Sequence, residues 1–173
     1  MNTLPPFRFR WRSLLGLAVA LFLFYGAMNI LLPIYVPLSL HLRGPWSIGG
    51  LVLTNKLDQA LLGQFAVASQ TDPRFGAFLV SFMDTMCAYM MAFALLQVAI
   101  VWFALRRGQA WALWAAALAD LAILPYYTAI AQTYVRFGVM GASEFIRGIG
   151  IFAALVLVAT AFGWFGLRRT ASV

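Results

Sequence analysis

The chain has 173 residues, of which 64% are hydrophobic and 10% are charged, and its formal net charge is +7. Its mean hydropathy is +0.88. This composition excludes an ordinary water-soluble domain, because a single soluble core cannot bury so much apolar surface, and it indicates an integral membrane protein in a lipid bilayer. We also exclude nucleic acid as a partner, because the basic residues sit mostly at predicted helix ends, where membrane topology explains them.

The content of cysteine and histidine restricts the chemistry further. A single cysteine, Cys87, excludes an internal disulfide and a Cys-pair redox motif. The single histidine, His41, has no acid near it in the sequence, since the closest one is Asp58. One histidine without neighbouring carboxylates is a poor metal ligand set, so we predict no metal site and no cofactor.

The first predicted span covers about residues 13–36 and follows a basic start that contains three arginines in residues 1–12. The apolar run is too long for the hydrophobic part of a signal peptide, so we interpret it as a membrane helix. An external segment follows, residues 37–72. Within it, residues 54–69 carry apolar side chains at helical spacing, which predicts a short external helix between the first two spans.

The second span belongs to the longest apolar run, Pro73 to Leu105, with about residues 76–105 in the membrane. Asp72 suits the N-cap and Pro73 the first helical position, where no backbone donor is lost. Two arginines and Gly108 suit the other end. At 1.5 Å per residue this helix is about 49 Å long, whereas the hydrocarbon core is about 30 Å thick. It must therefore tilt or project on its Asp72 side.

Two further spans, about residues 109–132 and 144–167, complete the pattern. The predicted fold is an all-α integral membrane four-helix bundle that occupies residues 1–173 as a single transmembrane domain. Arginines flank the four spans on one side, so the positive-inside rule predicts that both termini are cytoplasmic. Five tryptophans fall near the same side, as an interfacial belt would: Trp11, Trp102, Trp111, Trp114 and Trp164.

Two polar residues lie deep within neighbouring spans. Counted inward from the cytoplasmic side, Gln97 is about 12 Å deep and Asp120 about 13.5 Å deep. A short turn joins their helices, which must then pack antiparallel. We therefore predict an intramembrane polar pair in which Gln97 and Asp120 share a hydrogen bond. The pair is either a structural interhelical contact or a proton-handling or ligand-orienting site.

A second polar group projects toward the outer third of the spans. Its predicted ligand-binding members are Asn29 on the first helix, Asp84 on the second, and Tyr126 and Tyr127 on the third. Asp84 has no basic residue within one helical turn, so it needs a partner from another helix, from the external segment or from a ligand. The tyrosines have a simpler alternative role as interfacial anchors, although Pro125 beside them would loosen the backbone.

Several features resemble the EXPERA family of four-helix membrane proteins, which includes the emopamil-binding sterol isomerase and the sigma-two receptor. They are Leu14-Leu15-Gly16-Leu17 after a basic start, Asn29, Asp72-Pro73, Ser81-Phe82 before Asp84, Gly108 before Trp111, and Ile123-Leu124-Pro125. The resemblance implies a bundle with a cavity in its outer half for sterol-like or amine ligands, contacted by Asn29 and Asp84. It departs from the family at Asn29, an amide instead of an acid, and at His41, which the sequence places in the external loop instead of on a helix.

Three functions follow from these observations. The first is binding of a hydrophobic small molecule or lipid in an outer-half cavity between the helices, because such pockets with few polar groups are typical ligand sites. The second is an accessory or structural subunit of a larger membrane complex, or a homodimer, which small size and small-residue helix faces favour. The third is a lipid- or sterol-modifying enzyme of isomerase type, with an acid as general acid. No nucleophile motif supports a catalytic residue.

The arginine distribution generates a topology prediction. Both termini are expected in the cytoplasm and residues 37–72 outside, because Lys and Arg near span ends are retained on the cytoplasmic side. A reporter fused to the C-terminus and one inserted in the external segment should read on opposite sides of the membrane. A C-terminal reporter on the external side would contradict the four-span topology.

Overall fold

The computed structural model describes residues 9–44, 71–136 and 141–171. In these ranges every regular element is helical. The elements are α1 (Leu14–Arg43), α2 (Pro73–Phe103), a 3-10 turn (Leu105–Arg107), α3 (Ala110–Leu121), α4 (Leu124–Arg136) and α5 (Ala142–Ala171). Four helical stretches are long and apolar enough to cross a membrane: Leu14–Arg43, Pro73–Arg107, Ala110–Ala129 and Ala142–Arg168. The predicted short helix at residues 54–69 lies outside the described residues.

Helix α1 continues through two prolines to Arg43, beyond the end of the first predicted span. Pro33 and Pro37 each remove a backbone N–H, so the carbonyls of Asn29 and Pro33 lose their usual i+4 donors. The chain stays helical because apolar surroundings penalise every further unpaired backbone group. His41 therefore lies in the last turn of a helix, and its placement in an external loop was wrong.

Helix α2 begins at Pro73 as predicted and ends at Phe103, two residues before the predicted Leu105. The side chain of Asp72 caps its start, since Oδ1 accepts a hydrogen bond from the N–H of Arg74 at 2.9 Å. At the other end a 3-10 turn leads into Gly108, whose φ of 80° is in the left-handed region that glycine tolerates without strain. Cap and glycine together explain why this long apolar helix begins and ends where it does.

The third apolar stretch consists of two helices instead of one. Helix α3 ends at Leu121 and α4 begins at Leu124. Pro125 explains the interruption, because it cannot donate to the carbonyl of Leu121 and its ring clashes with the preceding turn. The loosening expected beside Pro125 thus takes the form of a short break on its N-terminal side.

The chain divides into two compact units. The first unit contains Met1–Ala27, Leu95–Thr128 and Ile146–Val173, and the second contains Met28–Ala94 and Ala129–Phe145. The core of the first unit is built mainly from small and branched apolar residues. Its buried members are Leu15, Val19, Phe22, Val101, Ala104, Leu105, Ala112, Leu113, Ala116, Ala117, Val156 and Ala159. The smaller core of the second unit consists of Val36, Leu40 and Cys87, with Leu79, Val80 and Met83 packed against it.

Helix α3 shows how the first unit is sorted into faces. Its alanines at 112, 116 and 117 are buried, together with Leu113 and Asp120. Trp111, Trp114 and Leu118 on the other side are more than half exposed. Small side chains facing inward and large ones facing outward allow helices to approach closely, as membrane helices do.

Gly166 marks a close contact between α5 and α1. A Cβ atom at this position would lie 2.5 Å from the backbone nitrogen of Leu15 and 2.9 Å from its Cα. Backbone atoms cannot move aside as the tip of a side chain can. Gly150 on the same helix has no such neighbour, since nothing lies within 4 Å of an added Cβ.

This contrast generates a stability prediction. Gly166→Ala should destabilise the protein by about 1 to 3 kcal/mol, the usual cost of overpacking a close-packed site. Gly150→Ala is the matched control and should be neutral or stabilising by up to about 1 kcal/mol, because alanine favours the helix. Unfolding in SDS or by heat, followed by tryptophan fluorescence, measures both changes. Equal effects of the two substitutions would contradict the close approach of the helices.

Candidate functional site

A groove of about 320 Å³ lies between α1 and α2 within the second unit. Helix α1 contributes one stripe with a four-residue spacing, Pro33, Pro37 and His41, and α2 contributes Asp84, Cys87, Ala88 and Met91. Residues four apart lie on one face of a helix, so each set forms a continuous wall. The groove is therefore apolar except at its His41 end.

His41 and Asp84 form the polar end of the groove. Nε2 of His41 lies 2.9 Å from Oδ2 of Asp84. Where Asp84 is ionised its carboxylate can only accept, and the N–H on Nε2 of His41 is then the donor in this hydrogen bond. The pair is not sealed from its surroundings, because 60% of the His41 side chain and 38% of the Asp84 side chain are exposed. A ligand in the groove can therefore reach this pair.

The second oxygen of Asp84 is in a different situation. Oδ1 is covered by protein atoms and accepts no hydrogen bond from any side chain or backbone group in the described ranges. A buried carboxylate oxygen without a donor is costly in apolar surroundings.

The four residues predicted to bind a ligand do not share this groove. Asp84 lines it and Asn29 does not. Asn29 lies twelve residues before His41 on α1, about 18 Å along the helix axis. Its Nδ2 is buried and donates to no acceptor among the described residues.

Tyr126 and Tyr127 belong to the first unit. Tyr126 is 74% exposed. The ring of Tyr127 packs edge to face with that of Phe152, with centroids 6.3 Å apart. These positions agree with an interfacial role for Tyr126 and a packing role for Tyr127.

Sequence analysis left the partner of Asp84 open between another helix, the external segment and a ligand, and it did not identify His41, which lies on another helix. The reason was the assumption that α1 ends near Pro37. The signal that could have found His41 is its spacing from the two prolines, since positions 33, 37 and 41 fall on one face if the helix simply continues. Arg74 lies in the first turn of α2, where its N–H bonds to Asp72.

Gln97 and Asp120 meet within the first unit. Nε2 of Gln97 donates to both carboxylate oxygens of Asp120, at 2.9 and 3.0 Å. Both side chains are buried, with exposed fractions of 3% and 0%. Oε1 of Gln97 is also buried and accepts no hydrogen bond within the described part of the chain. Neither of the two cavities described here is lined by this pair, and its burial favours the structural interpretation over the ligand-orienting one.

A second cavity, of about 500 Å³, lies in the first unit beside the 3-10 turn. It is lined by Phe9, Trp102, Phe103, Arg106 and Arg107. The guanidinium carbon of Arg106 is 4.4 Å from the centroid of the Trp102 ring. It is 5.5 Å from the centroid of the Phe9 ring. Arg106 is thus held in place by aromatic side chains.

Comparison with protein-family models, with curated proteins and with solved structures finds no match to this chain. The EXPERA resemblance stays a prediction that rests on the residues quoted for it.

The Gln97–Asp120 contact generates a coupling prediction. Asp120→Ala removes both acceptors of Gln97 and should destabilise the fold by on the order of 1 kcal/mol, the scale measured for interhelical hydrogen bonds in membranes. Asp120→Asn, which keeps an acceptor oxygen, should cost less. A double-mutant cycle with Gln97→Ala, measured by SDS unfolding, should give a clearly non-additive result. Purely additive effects on the free energy of unfolding would show that the two residues are not coupled.

Proposed function

We propose that this protein binds a lipophilic molecule that carries a hydrogen-bond donor, in the groove between α1 and α2. The observation that supports this most is the position of Asp84. Its carboxylate lies at the end of an apolar groove, and only one of its oxygens has a partner among the described residues. A ligand hydroxyl or ammonium group is the complementary chemistry.

The walls of the groove suit such a ligand. Pro33, Pro37, Ala88 and Met91 offer apolar surface, and methionine adapts to irregular shapes. The volume of about 320 Å³ is at the lower end of the range for small-molecule sites. The groove therefore fits one acyl chain or part of a rigid ring system better than a complete phospholipid.

His41 gives the carboxylate a fixed orientation. Oδ2 is held at 2.9 Å by the ring nitrogen, whereas Oδ1 is covered by protein atoms and has to be uncovered before a donor in the groove can reach it. A donor that arrives there replaces a missing hydrogen bond, so its binding is not offset by the loss of an existing one. With both termini cytoplasmic, the His41 end of the groove faces the external side of the membrane.

The EXPERA resemblance also supports a ligand site at the outer end of the helices. In that family an outer-half cavity binds sterol-like or amine ligands, and Asp84 is the position that matches its acid on the second helix. Our proposal transfers this role to Asp84 and adds His41 on α1. Asn29 has no direct role in the proposed site, because its side chain does not line the groove.

A second candidate function is a lipid-modifying enzyme of isomerase type, and the His41–Asp84 pair is the observation that favours it. An imidazole oriented by a carboxylate is a common general acid or base. Here both groups stand at the mouth of an apolar groove. Conversion of a bound sterol or lipid by the wild-type protein, lost in His41→Ala, would distinguish catalysis from simple binding.

Asp84→Asn tests the proposed binding role. The substitution is nearly isosteric and keeps an oxygen that can accept from His41, so the melting temperature should change little. Binding of a long-chain alcohol should weaken by about 1.5 to 3 kcal/mol, the range for hydrogen bonds to charged groups. A photoreactive long-chain alcohol, followed by mapping of the labelled peptides, measures occupancy of the groove. The methyl ether of the same alcohol is the matched probe without a donor.

Asp72→Asn is the matched control variant, because it makes the same chemical change at a helix cap outside the groove. It should label like the wild type. An Asp84→Asn protein that melts early and still labels normally would assign Asp84 to the scaffold. Equal labelling by the alcohol and its methyl ether would reject the hydrogen-bonding role. If native mass spectrometry shows no retained lipophile and a tightly bound partner protein instead, the accessory-subunit function replaces the binding function.

A further inference from the structure

The cavity beside the 3-10 turn has a composition that the proposed ligand groove does not explain. Its lining combines two arginines, Arg106 and Arg107, with three aromatic side chains, Phe9, Trp102 and Phe103. All of these residues belong to the first unit. The positive-inside rule explains why arginines occur at this end of the spans, but not why they line a cavity with aromatic walls.

Aromatic contacts restrain one of the arginines. The guanidinium group of Arg106 lies over the ring of Trp102 and near that of Phe9. The ring of Trp11 packs edge to face on Phe9, with centroids 4.9 Å apart. A guanidinium stacked in this way keeps its N–H edges available, because the rings contact its faces. The side chain is therefore already ordered before any anion binds.

The positive charge here is not neutralised within the described structure. In the described part of the first unit the only acidic residue is Asp120, and its oxygens accept from Gln97. The described ion pairs include none that contains Arg106 or Arg107. Arg10 and Arg12 on the neighbouring segment add further exposed positive charge. An anion is the partner that this arrangement lacks.

The surface beside the arginines indicates which kind of anion would bind there. Trp102 and Phe103 both line the cavity and are 39% and 59% exposed. They belong to a helix that is apolar enough to cross a membrane. A molecule that satisfies both parts of this surface has a phosphate at the arginines and an acyl chain along the aromatic side chains.

We propose that this cavity is a binding site for an anionic phospholipid of the adjacent leaflet, with the lipid phosphate held by Arg106 and Arg107. Arg106 supplies a fork that matches two phosphate oxygens, and Arg107, which is more exposed, adds a second donor set. The volume of about 500 Å³ accommodates a headgroup and the first part of its chains. This site is independent of the groove at His41 and Asp84.

The test compares headgroups on the same full-length protein in detergent. Phosphatidylglycerol and phosphatidylcholine with identical acyl chains are titrated, and bound lipid is counted by native mass spectrometry. Phosphatidylglycerol should bind more tightly. Arg106→Gln should weaken its binding by about tenfold or more, because hydrogen bonds to charged groups are lost. Arg106→Lys, which keeps the charge but loses the planar fork, should also weaken it.

Arg168→Gln is the matched control. Arg168 is also stacked on a tryptophan, with its guanidinium carbon 4.3 Å from the centroid of the Trp164 ring, but it does not line the cavity. A general surface potential contributes about fivefold in affinity for each arginine near the membrane, so this variant should lose no more than that. Equal losses in Arg106→Gln and Arg168→Gln, or full binding by Arg106→Lys, would overturn the proposal.

Two further measurements complete the test. Inorganic phosphate in large excess should not displace phosphatidylglycerol, and complete displacement would identify a phosphate site instead of a lipid site. Melting temperatures should agree with that of the wild type. If Arg106→Gln does not fold, Arg107→Gln replaces it, because Arg107 lines the same cavity and is exposed. Unchanged phosphatidylglycerol binding by a folded Arg107→Gln would then overturn the site.

Discussion

A polar group in an apolar medium must find its partner inside the protein, and this constraint governs the contact between Gln97 and Asp120. Both carboxylate oxygens of Asp120 have a donor, because both accept from the side-chain amide of Gln97. The alanine face of α3 makes this contact possible, since small side chains at 112, 116 and 117 bring the neighbouring backbone close. Close packing and the polar contact therefore support each other.

The sequence was sufficient for this pair because the connection between its helices is short. Four helices long and apolar enough to cross a membrane were predictable from hydropathy, and the boundaries of α2 from its cap and its glycine. The turn at Arg106 and Gly108 then sets the register of α2 against α3. Counting residues from this turn along both helices therefore predicts which side chains of α2 and α3 are neighbours.

The contact between His41 and Asp84 could not be predicted in this way. Their helices are joined by a long segment, so the connection does not set the register of α1 against α2. The two prolines of α1 are also ordinary signals for the end of a helix in water. In apolar surroundings the balance changes, because leaving the helix would expose more unpaired backbone groups than the prolines already do. The break before Pro125 shows that the outcome for one proline still depends on its local packing.

The groove between α1 and α2 must be considered together with the lipid that surrounds it. Any apolar groove on a membrane protein fills with acyl chains of the surrounding lipid, so apolar walls alone would not indicate a specific ligand. Asp84 changes this expectation, because a bulk acyl chain cannot donate a hydrogen bond and would leave Oδ1 as it is. Under the proposed binding function, only a molecule with a donor at the level of His41 gains from this site. The specificity of the groove therefore depends on its one carboxylate, and its apolar residues contribute affinity that most lipophiles share.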